Sequence, residues 1–358
     1  MATPKFKNIQ GSQFHQELKR RVQQYFTENK IKPTGNASLY FKAILLTTLY
    51  VAVYVHLVFF TPAPWWAILE CLLMGGLTAA LGFNVMHDGS HGSFSSNPTL
   101  NRIAGNLTIN ILGASGIMWN NKHNIIHHTY TNIDGVDDDI EIKPLLRMCK
   151  TQKKYFIHRY QHIYVWFLYT LLLIVWLFVS DYTKYFRQKV GDVPIKKMSA
   201  FDHFAFWFAK LGYAFMMIAL PIYMVGFTSW LIGFLVFTLF AGFILSVVFQ
   251  LAHTVEETAF PVPEGDSNRI ENEWAIHQIQ TTANFATKNK LLSWLVGGLN
   301  FQIEHHLFPK ISHIHYPQIS KIIKQTCQEF NIRYIEHRRL RHAIASHTNY
   351  LRKMGEMD

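Results

Sequence analysis

Three short segments of the sequence carry histidines at spacings that suit metal binding. They are HDGSH at residues 87–91, HNIIHH at residues 123–128 and QIEHH at residues 302–306. Residues four apart in a helix lie on one face about one turn from each other, so each of the first two segments can direct two imidazoles at one point. A single histidine, His253, follows directly after the last long apolar run.

Together these positions supply eight candidate imidazole ligands: His87, His91, His123, His127, His128, His253, His305 and His306. Eight exceeds the four ligands of a structural zinc and the two axial ligands of a haem, so the sequence predicts two metal ions. Imidazole binds iron, copper, zinc and nickel, so ligand type alone does not choose the metal. Iron is favoured because a metal pair in a largely apolar chain suits oxygen activation on a hydrocarbon substrate.

Polar residues beside these histidines are candidates for holding the ligands in place. Gln302 lies one turn before His305 and is a candidate weak ninth ligand or water holder. Carboxylates next to the ligands are expected to accept the second N–H of an imidazole. The candidates are Asp88, Glu256, Glu257 and Glu304.

Other polar groups have two interpretations each. The acidic stretch at residues 134–141 is either a solvated loop or a further source of carboxylates for the ligands. The polar run with Thr281, Thr282 and Asn284 either positions a metal-bound water or a substrate head group, or begins a helix. The remaining histidines, including His277, have no partner at ligand spacing and are left outside the predicted site.

The composition indicates a membrane protein. Of 358 residues, 49% are hydrophobic and only 16% are charged, which is too apolar for a disordered chain. The apolar residues come in blocks of about twenty, enough to cross a hydrocarbon core of about 30 Å. The three cysteines form no CxxC pair, so neither a disulfide framework nor a zinc knuckle is indicated. The predicted fold class is all-α, with several membrane spans.

Four spans are predicted, at residues 43–61, 65–83, 204–225 and 227–249. A third long run between the histidine segments, residues 163–180, is predicted not to span, because an even number of crossings must separate segments that meet in one site. It is the shortest run and is bracketed by charged or polar anchors. The weaker apolar patch at residues 103–118 is interrupted by glycines and asparagines. It is predicted to lie in the interface or to cover the site.

The charge distribution predicts the orientation of the chain. The net charge is +11, and the first forty residues are polar and basic, without the apolar core of a cleavable signal. Both termini and the histidine segments are therefore predicted to be cytosolic. The predicted parts are a basic N-terminal segment (1–40), a membrane domain with a cytosolic helical cap (41–320) and a basic C-terminal tail (321–358). The basic excess is assigned to topology and lipid contact, not to nucleic acid.

The histidine segments resemble a known family. HDGSH at 87–91, HNIIHHTYTN at 123–132 and QIEHHLFP at 302–309 resemble the three histidine boxes of membrane fatty acid desaturases. The glutamine that opens the third box resembles the front-end subgroup. The resemblance extends in order and spacing from about residue 40 to 320.

This resemblance implies a function and a cofactor. The eight histidines would hold a non-haem di-iron centre, with His253 as the extra ligand after the last span. The implied reaction is the oxygen-dependent removal of two hydrogens from a fatty acyl chain, as acyl-CoA or acyl-lipid, leaving a cis double bond with Δ5/Δ6-like position. Two electrons must come from outside. Because no HPGG haem motif of a fused cytochrome b5 domain occurs in the sequence, the expected donor is a separate cytochrome b5 or ferredoxin-type protein.

Such chemistry requires an apolar tunnel, since burial of each CH₂ contributes about 0.8 kcal/mol and excludes water from the oxidant. The predicted wall residues are Trp119, Trp166, Tyr169, Trp274 and Trp294.

Three alternative functions are weighed against the desaturase interpretation. A di-iron hydroxylase or other lipid oxidase would use the same site. A membrane zinc hydrolase is disfavoured because HExxH is absent and eight imidazoles exceed its needs. A metal transporter would need polar residues deep within several spans, whereas these histidines lie at span ends.

Overall fold

A computed structural model describes residues 3–7, 13–265 and 267–357 of the chain. Parts of the predicted N-terminal and C-terminal segments, at residues 1–2, 8–12 and 358, lie outside the described residues. Within them the chain is predominantly helical, with three short two-stranded ladders. This agrees with the predicted all-α class.

Four helices are long and apolar enough to cross a membrane. They are the first span (Ala37–Phe60), the second span (Pro64–His91), the third span (Ala200–Val225) and the fourth span (Phe227–His253). Each coincides with one of the four predicted apolar runs, although the first span ends one residue before the predicted end at residue 61. The third and fourth spans are joined at Gly226, whose φ of 80° is readily adopted only by glycine.

The second and fourth spans extend beyond their predicted ends at residues 83 and 249. They continue as helix to His91 and His253, so that each carries histidines at its end. Some polar groups on these extensions donate hydrogen bonds to the surrounding protein. For example, Asn84 Nδ2 donates to the carbonyl oxygens of Ala80 and Leu295, at 2.8 and 2.9 Å. The apolar pattern therefore marks the membrane part of each helix, not its end.

Two glycines allow the helices around the fourth span to approach closely. A Cβ on Gly75 would lie 2.7 Å from the carbonyl oxygen of Phe237, and one on Gly242 would lie 2.4 Å from that of Thr170. Gly75 thus brings the second span against the fourth. Gly242 allows the helix that ends at Thr170 to pack against the fourth span from another side.

The run predicted not to span is a bent helix pair. Its halves, Phe156–Thr170 and Leu172–Arg187, meet at 62°, and together they are long and apolar enough for one broken span. A buried ion pair fixes the second half, because the Lys210 ammonium of the third span lies 2.7 Å from the Asp181 carboxylate.

The segment at residues 103–118 is broken into short helices, as its glycines and asparagines suggest. The helices are Pro98–Arg102, Ile103–Leu107, Thr108–Ile111 and Gly116–Trp119. They pack on the end of the second span, where a Cβ on Gly89 would lie 2.4 Å from the backbone nitrogen of Gly105. The segment therefore covers the part of the second span that carries histidines.

The remaining elements form a cap over the histidine-bearing span ends. Its helices are Gln13–Glu28, Asn120–His127, His128–Tyr130, Asp138–Ile140, Trp274–Thr281, Lys290–Leu295, Gln302–Leu307, His313–His315, Tyr316–Glu329 and Leu340–Glu356. The ladders pair Lys5–Phe6 with Arg269–Ile270 and Asn284–Phe285 with Glu336–His337 in parallel, and Lys189–Val190 with Val193–Pro194 antiparallel.

Both terminal segments pack into this cap. Apolar residues recur every fourth position in Gln13–Glu28, and this stripe packs against Ile319 and Ile323 of Tyr316–Glu329. The latter helix runs through residue 320, so the predicted start of a separate C-terminal tail lies inside one helix. The last helix, Leu340–Glu356, contributes Leu351 and Met354 to a core shared with the bent pair.

Candidate metal centre

The second histidine segment adopts a π-helix, over Asn120–His127, and not the expected α-helix. Its i→i+5 hydrogen bonds widen the turn, so residues four and five apart share one face. The His123 ring consequently lies 5.3 Å from the His127 ring and 4.8 Å from the His128 ring, measured between centroids. One turn of helix therefore presents three imidazoles to the site.

One group of histidines joins all three segments. His87 and His91, one α-helical turn apart at the end of the second span, meet His123 and His305 there. One ring nitrogen from each of the four lies within 4.8 Å of the others. The closest pair is Nε2 of His87 and Nε2 of His123, at 3.2 Å.

A second group forms beside the first. One ring nitrogen each of His127, His253 and His306 lies within the same 4.8 Å limit, and His128 forms a further group with His305 and His306. The eight predicted ligands are therefore brought together in one continuous cluster from four separate parts of the chain. Seven of them are buried and His91 is half-buried.

Several imidazoles are held through one nitrogen while the other is left free. Nδ1 of His306 lies 2.8 Å from Oε1 of Gln278, and Nδ1 of His305 lies 3.2 Å from the Tyr316 hydroxyl. The Nε2 atoms of both histidines are buried without a hydrogen-bond partner. Buried polar atoms without partners are rare in folded proteins, so these nitrogens fit ligands of a metal ion.

Carboxylates surround His127. Its Nδ1 lies 3.1 Å from an oxygen of Asp137 and 3.1 Å from an oxygen of Asp139. Burial disfavours the charged imidazole, but these two carboxylates outweigh it and raise the pKa of His127. Burial opposes ionisation of Asp139 as well, but the Lys122 ammonium 2.7 Å away and His127 hold its pKa below the usual range.

The pKa values of the other ligand candidates outside the spans shift in the opposite direction from that of His127. Burial, reinforced by neighbouring imidazoles, lowers the pKa values of His123, His128, His305 and His306 well below the usual range. These rings are therefore neutral at physiological pH, and neutral imidazole is the form that binds metals. An oxygen of Asp139 also groups with nitrogens of His123 and His127, which makes this carboxylate a further candidate ligand.

Comparison with known proteins identifies the family. Residues 63–338 match the profile of the family described as fatty acid desaturase. The chain is 37% identical to an sn-1 linoleoyl-lipid 6-desaturase of Synechocystis, over 99% of each protein. It is 37% identical to the enzyme of the same name from Arthrospira platensis, over 96% of this chain and 92% of that one. It is also 35% identical to an acyl-lipid (8-3)-desaturase of Physcomitrium patens, over 99% of this chain and 74% of the relative.

The chain belongs to the fatty acid desaturase family. This confirms the predicted family and the predicted enzyme class, an oxidoreductase that desaturates fatty acyl chains. The cluster of imidazoles is the part of this desaturase that can hold an oxygen-dependent metal centre.

A cavity of about 520 Å³ leads to the cluster. It is lined by His87 and His123 at one end and continues along the bent pair. Of the five predicted wall residues, Trp119 and Tyr169 line it. Its volume lies within the usual range for small-molecule sites.

The other three predicted wall residues have different positions. Trp166 packs behind Tyr169, with ring centroids 6.0 Å apart. The Trp274 indole nitrogen donates to the backbone carbonyl of His128 at 3.1 Å, and the Trp294 ring lies 4.7 Å from the Lys42 ammonium. The presence of an aromatic side chain in the sequence therefore did not distinguish residues that line the cavity from residues that pack elsewhere in the protein.

The predicted carboxylate partners contact groups other than the ligand histidines, and Glu257 accepts from the Ser346 hydroxyl at 3.0 Å. The Glu256 carboxylate pairs with Lys353 of the last helix, so its predicted place beside the ligands is not supported. The helix of the fourth span ends at His253 and the chain changes direction there, so Glu256 faces away from the cluster. Asp88 accepts from the Ser312 hydroxyl at 2.7 Å and pairs with His313 Nδ1 at 3.0 Å. It therefore joins the second span to the cap.

Gln302 and Asn284 lie close to the cluster but act differently. Nε2 of Gln302 donates to Nε2 of His253 at 3.0 Å, which places this side chain at the second group. Asn284 donates to the Glu304 carboxylate at 2.7 Å and so holds the third histidine segment from behind. Burial raises the pKa of Glu304 to about 7, although hydrogen bonds from Asn284 and Tyr334 oppose the shift.

The predicted roles of Thr281 and Thr282 are not supported. Their hydroxyls donate to the backbone carbonyls of His277 and Gln278, within the helix they end. It is the backbone carbonyl of Thr281 that contacts the cluster, 3.3 Å from His253 Nδ1. His277, which the sequence left outside the site, packs edge-on against Phe6 and belongs to neither group.

Gln278 and Tyr316 were missed because no spacing rule connects them with the imidazoles they contact. The partner of Gln278 lies 28 positions away and that of Tyr316 lies 11 positions away. Asp137 was included only as one member of an ambiguous acidic stretch. The other acids of that stretch divide among different partners. Asp138 pairs with Lys122 and Lys184, and Asp134 pairs with Lys143.

Proposed function

We propose that this desaturase holds two iron ions with the eight histidines and removes two hydrogens from an acyl chain of a membrane lipid, at a front-end position. The observation that carries the proposal is the cluster itself, in which imidazoles from four parts of the chain converge and the buried Nε2 atoms of His91, His127, His305 and His306 have no hydrogen-bond partner. The relatives named as acyl-lipid and linoleoyl-lipid desaturases support the lipid-linked substrate and the front-end position.

In this proposal His87, His91, His123 and His305 hold one iron, and His127, His253 and His306 hold the other. His128 lies beside both groups, and Gln302 supports His253. Iron bound here supplies the oxidising power to remove hydrogen from an unactivated methylene, with O₂ as co-substrate and two electrons from outside.

The protein has three tasks around the ions. Gln278, Tyr316 and the Thr281 carbonyl fix the rings of His306, His305 and His253, so that little reorganisation is needed when metal binds. The Asp137 and Asp139 carboxylates offset positive charge beside His127. The apolar cavity holds the acyl chain next to His87 and His123 and excludes water.

The cluster also supports the predicted topology. The rings of His127 and His253 lie 4.7 Å apart, so the number of crossings between them must be even. The third and fourth spans supply two crossings, so we place both ends of the bent pair on the same side of the bilayer. We assign this side, with both terminal segments, to the cytosol because of the basic excess of the flanking sequence.

Electron delivery is assigned to a separate carrier protein of cytochrome b5 or ferredoxin type. The basic residues of the cap offer attraction for an acidic carrier, which would raise the rate of encounter.

The test is metal analysis combined with product analysis. We expect two irons per chain in the purified protein, and a new double bond on the carboxyl side of existing ones in lipids of a host that lacks polyunsaturated fatty acids and is fed linoleate. A hydroxylated product in place of the double bond would refute desaturation. One zinc per chain would refute the metal assignment.

A further inference from the structure

The acyl cavity has a mouth of distinctive composition. Its lining includes Leu171, Val175, Val179, Thr183 and Arg187, which follow one another at four-residue intervals along the bent pair. Residues at this spacing share a helix face. The face therefore changes along its length from apolar to polar to cationic, and the cationic end is continued by Lys189.

The apolar part of this face is open to the surroundings. Val175 is 47% exposed and Val179 is 54% exposed, although both line the cavity. Because the middle of the bent pair packs against the fourth span, with Phe178 and Phe234 ring centroids 6.1 Å apart, these valines face the membrane and an acyl chain can enter over them. Its head group would then lie in the interface, next to Arg187 and Lys189.

The cavity lining contains four cations, which differ in their partners. Lys122 pairs with Asp139 at 2.7 Å, and Lys184 pairs with Asp138 at 2.9 Å. Arg187 and Lys189 are exposed and form no ion pair in the part of the chain that the structure describes. Asp192, the acid of the adjacent turn, pairs with neither cation. The two free cations are therefore available for an anion of the substrate.

We propose that Arg187 and Lys189 bind the phosphate of a glycerophospholipid whose acyl chain occupies the cavity. The proposal rests on the proposed function and specifies its substrate class. The planar, multiply donating guanidinium matches the geometry of a phosphate group, and the ammonium adds a second charge. A neutral sugar head group would leave both cations without a counter-charge.

The chain offers a matched control on the same segment. Lys196 and Lys197 are exposed cations that follow the ladder containing Lys189, but neither lines the cavity. They experience the same membrane surface without reaching the cavity mouth. The double variant Lys196→Gln/Lys197→Gln therefore removes the same charge as Arg187→Gln/Lys189→Gln without touching the proposed site.

The experiment compares three linoleoyl substrates with the iron-loaded full chain in nanodiscs. They are linoleoyl phosphatidylglycerol, linoleoyl monogalactosyldiacylglycerol and linoleoyl-CoA, each assayed with the carrier protein that supports turnover. We expect kcat/KM about tenfold higher for the phospholipid than for the galactolipid. Arg187→Gln/Lys189→Gln should lose about tenfold on the phospholipid, mainly in KM, and leave the galactolipid rate unchanged.

Each other outcome has a definite meaning. Equal wild-type rates on phospholipid and galactolipid overturn the proposal, as does an equal loss in the control double variant. A loss on all three substrates in Arg187→Gln/Lys189→Gln shows a structural role and overturns it as well. A preference for linoleoyl-CoA would mean that the two cations bind the phosphates of CoA, and it would overturn the proposal that they bind a phospholipid. Absence of product from every substrate refutes the proposed function instead. Arg187→Lys, which keeps the charge, should retain part of the phospholipid preference.

Discussion

The Gln278 side-chain oxygen lies 2.8 Å from Nδ1 of His306 and accepts a hydrogen bond from it. This contact fixes the tautomer of His306, because Nδ1 carries the proton and Nε2 is left as the free ligand atom. The same oxygen lies 3.1 Å from the Thr131 hydroxyl, so the glutamine is itself held in place. Removal of this hydrogen bond should therefore weaken metal binding without removing a ligand.

The first prediction concerns this glutamine. Gln278→Leu should lower iron affinity or activity about 10- to 100-fold, the usual effect of losing a group that orients a metal ligand. The measurements are iron content after dialysis against a chelator and the rate of lipid desaturation. Gln280→Leu, on the same helix but bonded to Asn272, is the control and should retain both. Full iron content in Gln278→Leu would disprove the orienting role.

The second prediction concerns the eight histidines. Replacement of any one by alanine should reduce iron content and abolish turnover, because the remaining groups cannot complete the coordination of both ions. Gln302→Ala should be milder, since this side chain contacts His253 and is not needed as a ligand. The exposed His342 provides a control, and His342→Ala should keep full iron and activity. If one of the eight histidine variants keeps full iron content and activity, that histidine is not part of the site.

Hydropathy predicted the four spans because long apolar helices have few alternatives in a bilayer. The histidine motifs predicted which imidazoles meet, although only the first motif ends a span and the other two lie in helices of the cap. The π-helix at Asn120–His127 was not predictable, because a helical pattern of four-residue spacing does not distinguish it from an α-helix. That difference explains how His127 and His128 both reach the cluster.

Contacts between distant parts of the chain were the weakest predictions. Glu256 is three positions from His253, yet the helix ends between them and the carboxylate turns to Lys353. Conversely, Tyr316 reaches His305 through a helix that the sequence assigned only in part to the membrane domain. Proximity in sequence therefore identifies ligands within one helical turn, but does not identify the groups that orient them.

The third prediction concerns pH. His347, in the last helix, contacts the Tyr169 hydroxyl through Nε2 at 2.7 Å and the Thr254 carbonyl through Nδ1. Burial lowers its pKa to about 4, although the Thr254 carbonyl opposes the shift. The unfolded chain, with an ordinary histidine pKa, binds more protons between about pH 6.5 and 4. Stability should therefore fall as pH falls through this window.

His347→Gln tests this assignment. It removes the titrating group while keeping hydrogen-bonding capacity, so the protein should lose less stability between pH 6.5 and 5 than the wild type does. The measurement is the thermal unfolding temperature in detergent at each pH. His342→Gln, at an exposed position of the same helix, should follow the wild-type pH profile. An unchanged pH profile in His347→Gln would exclude a contribution from this residue.

The fourth prediction concerns the packing of the fourth span. Gly242→Ala places a Cβ 2.4 Å from the Thr170 carbonyl oxygen. The neighbouring atoms belong to the backbone, so the clash can be relieved only by moving one helix away from the other. The substitution should destabilise the protein by about 1–3 kcal/mol, the usual cost of overpacking, and displace Tyr169 from the cavity wall. Gly212→Ala, in the third span with nothing within 4 Å, should be neutral or slightly stabilising because alanine favours helix. Thermal unfolding in detergent measures both changes, and equal melting temperatures for the two variants would contradict the close approach of the bent pair to the fourth span.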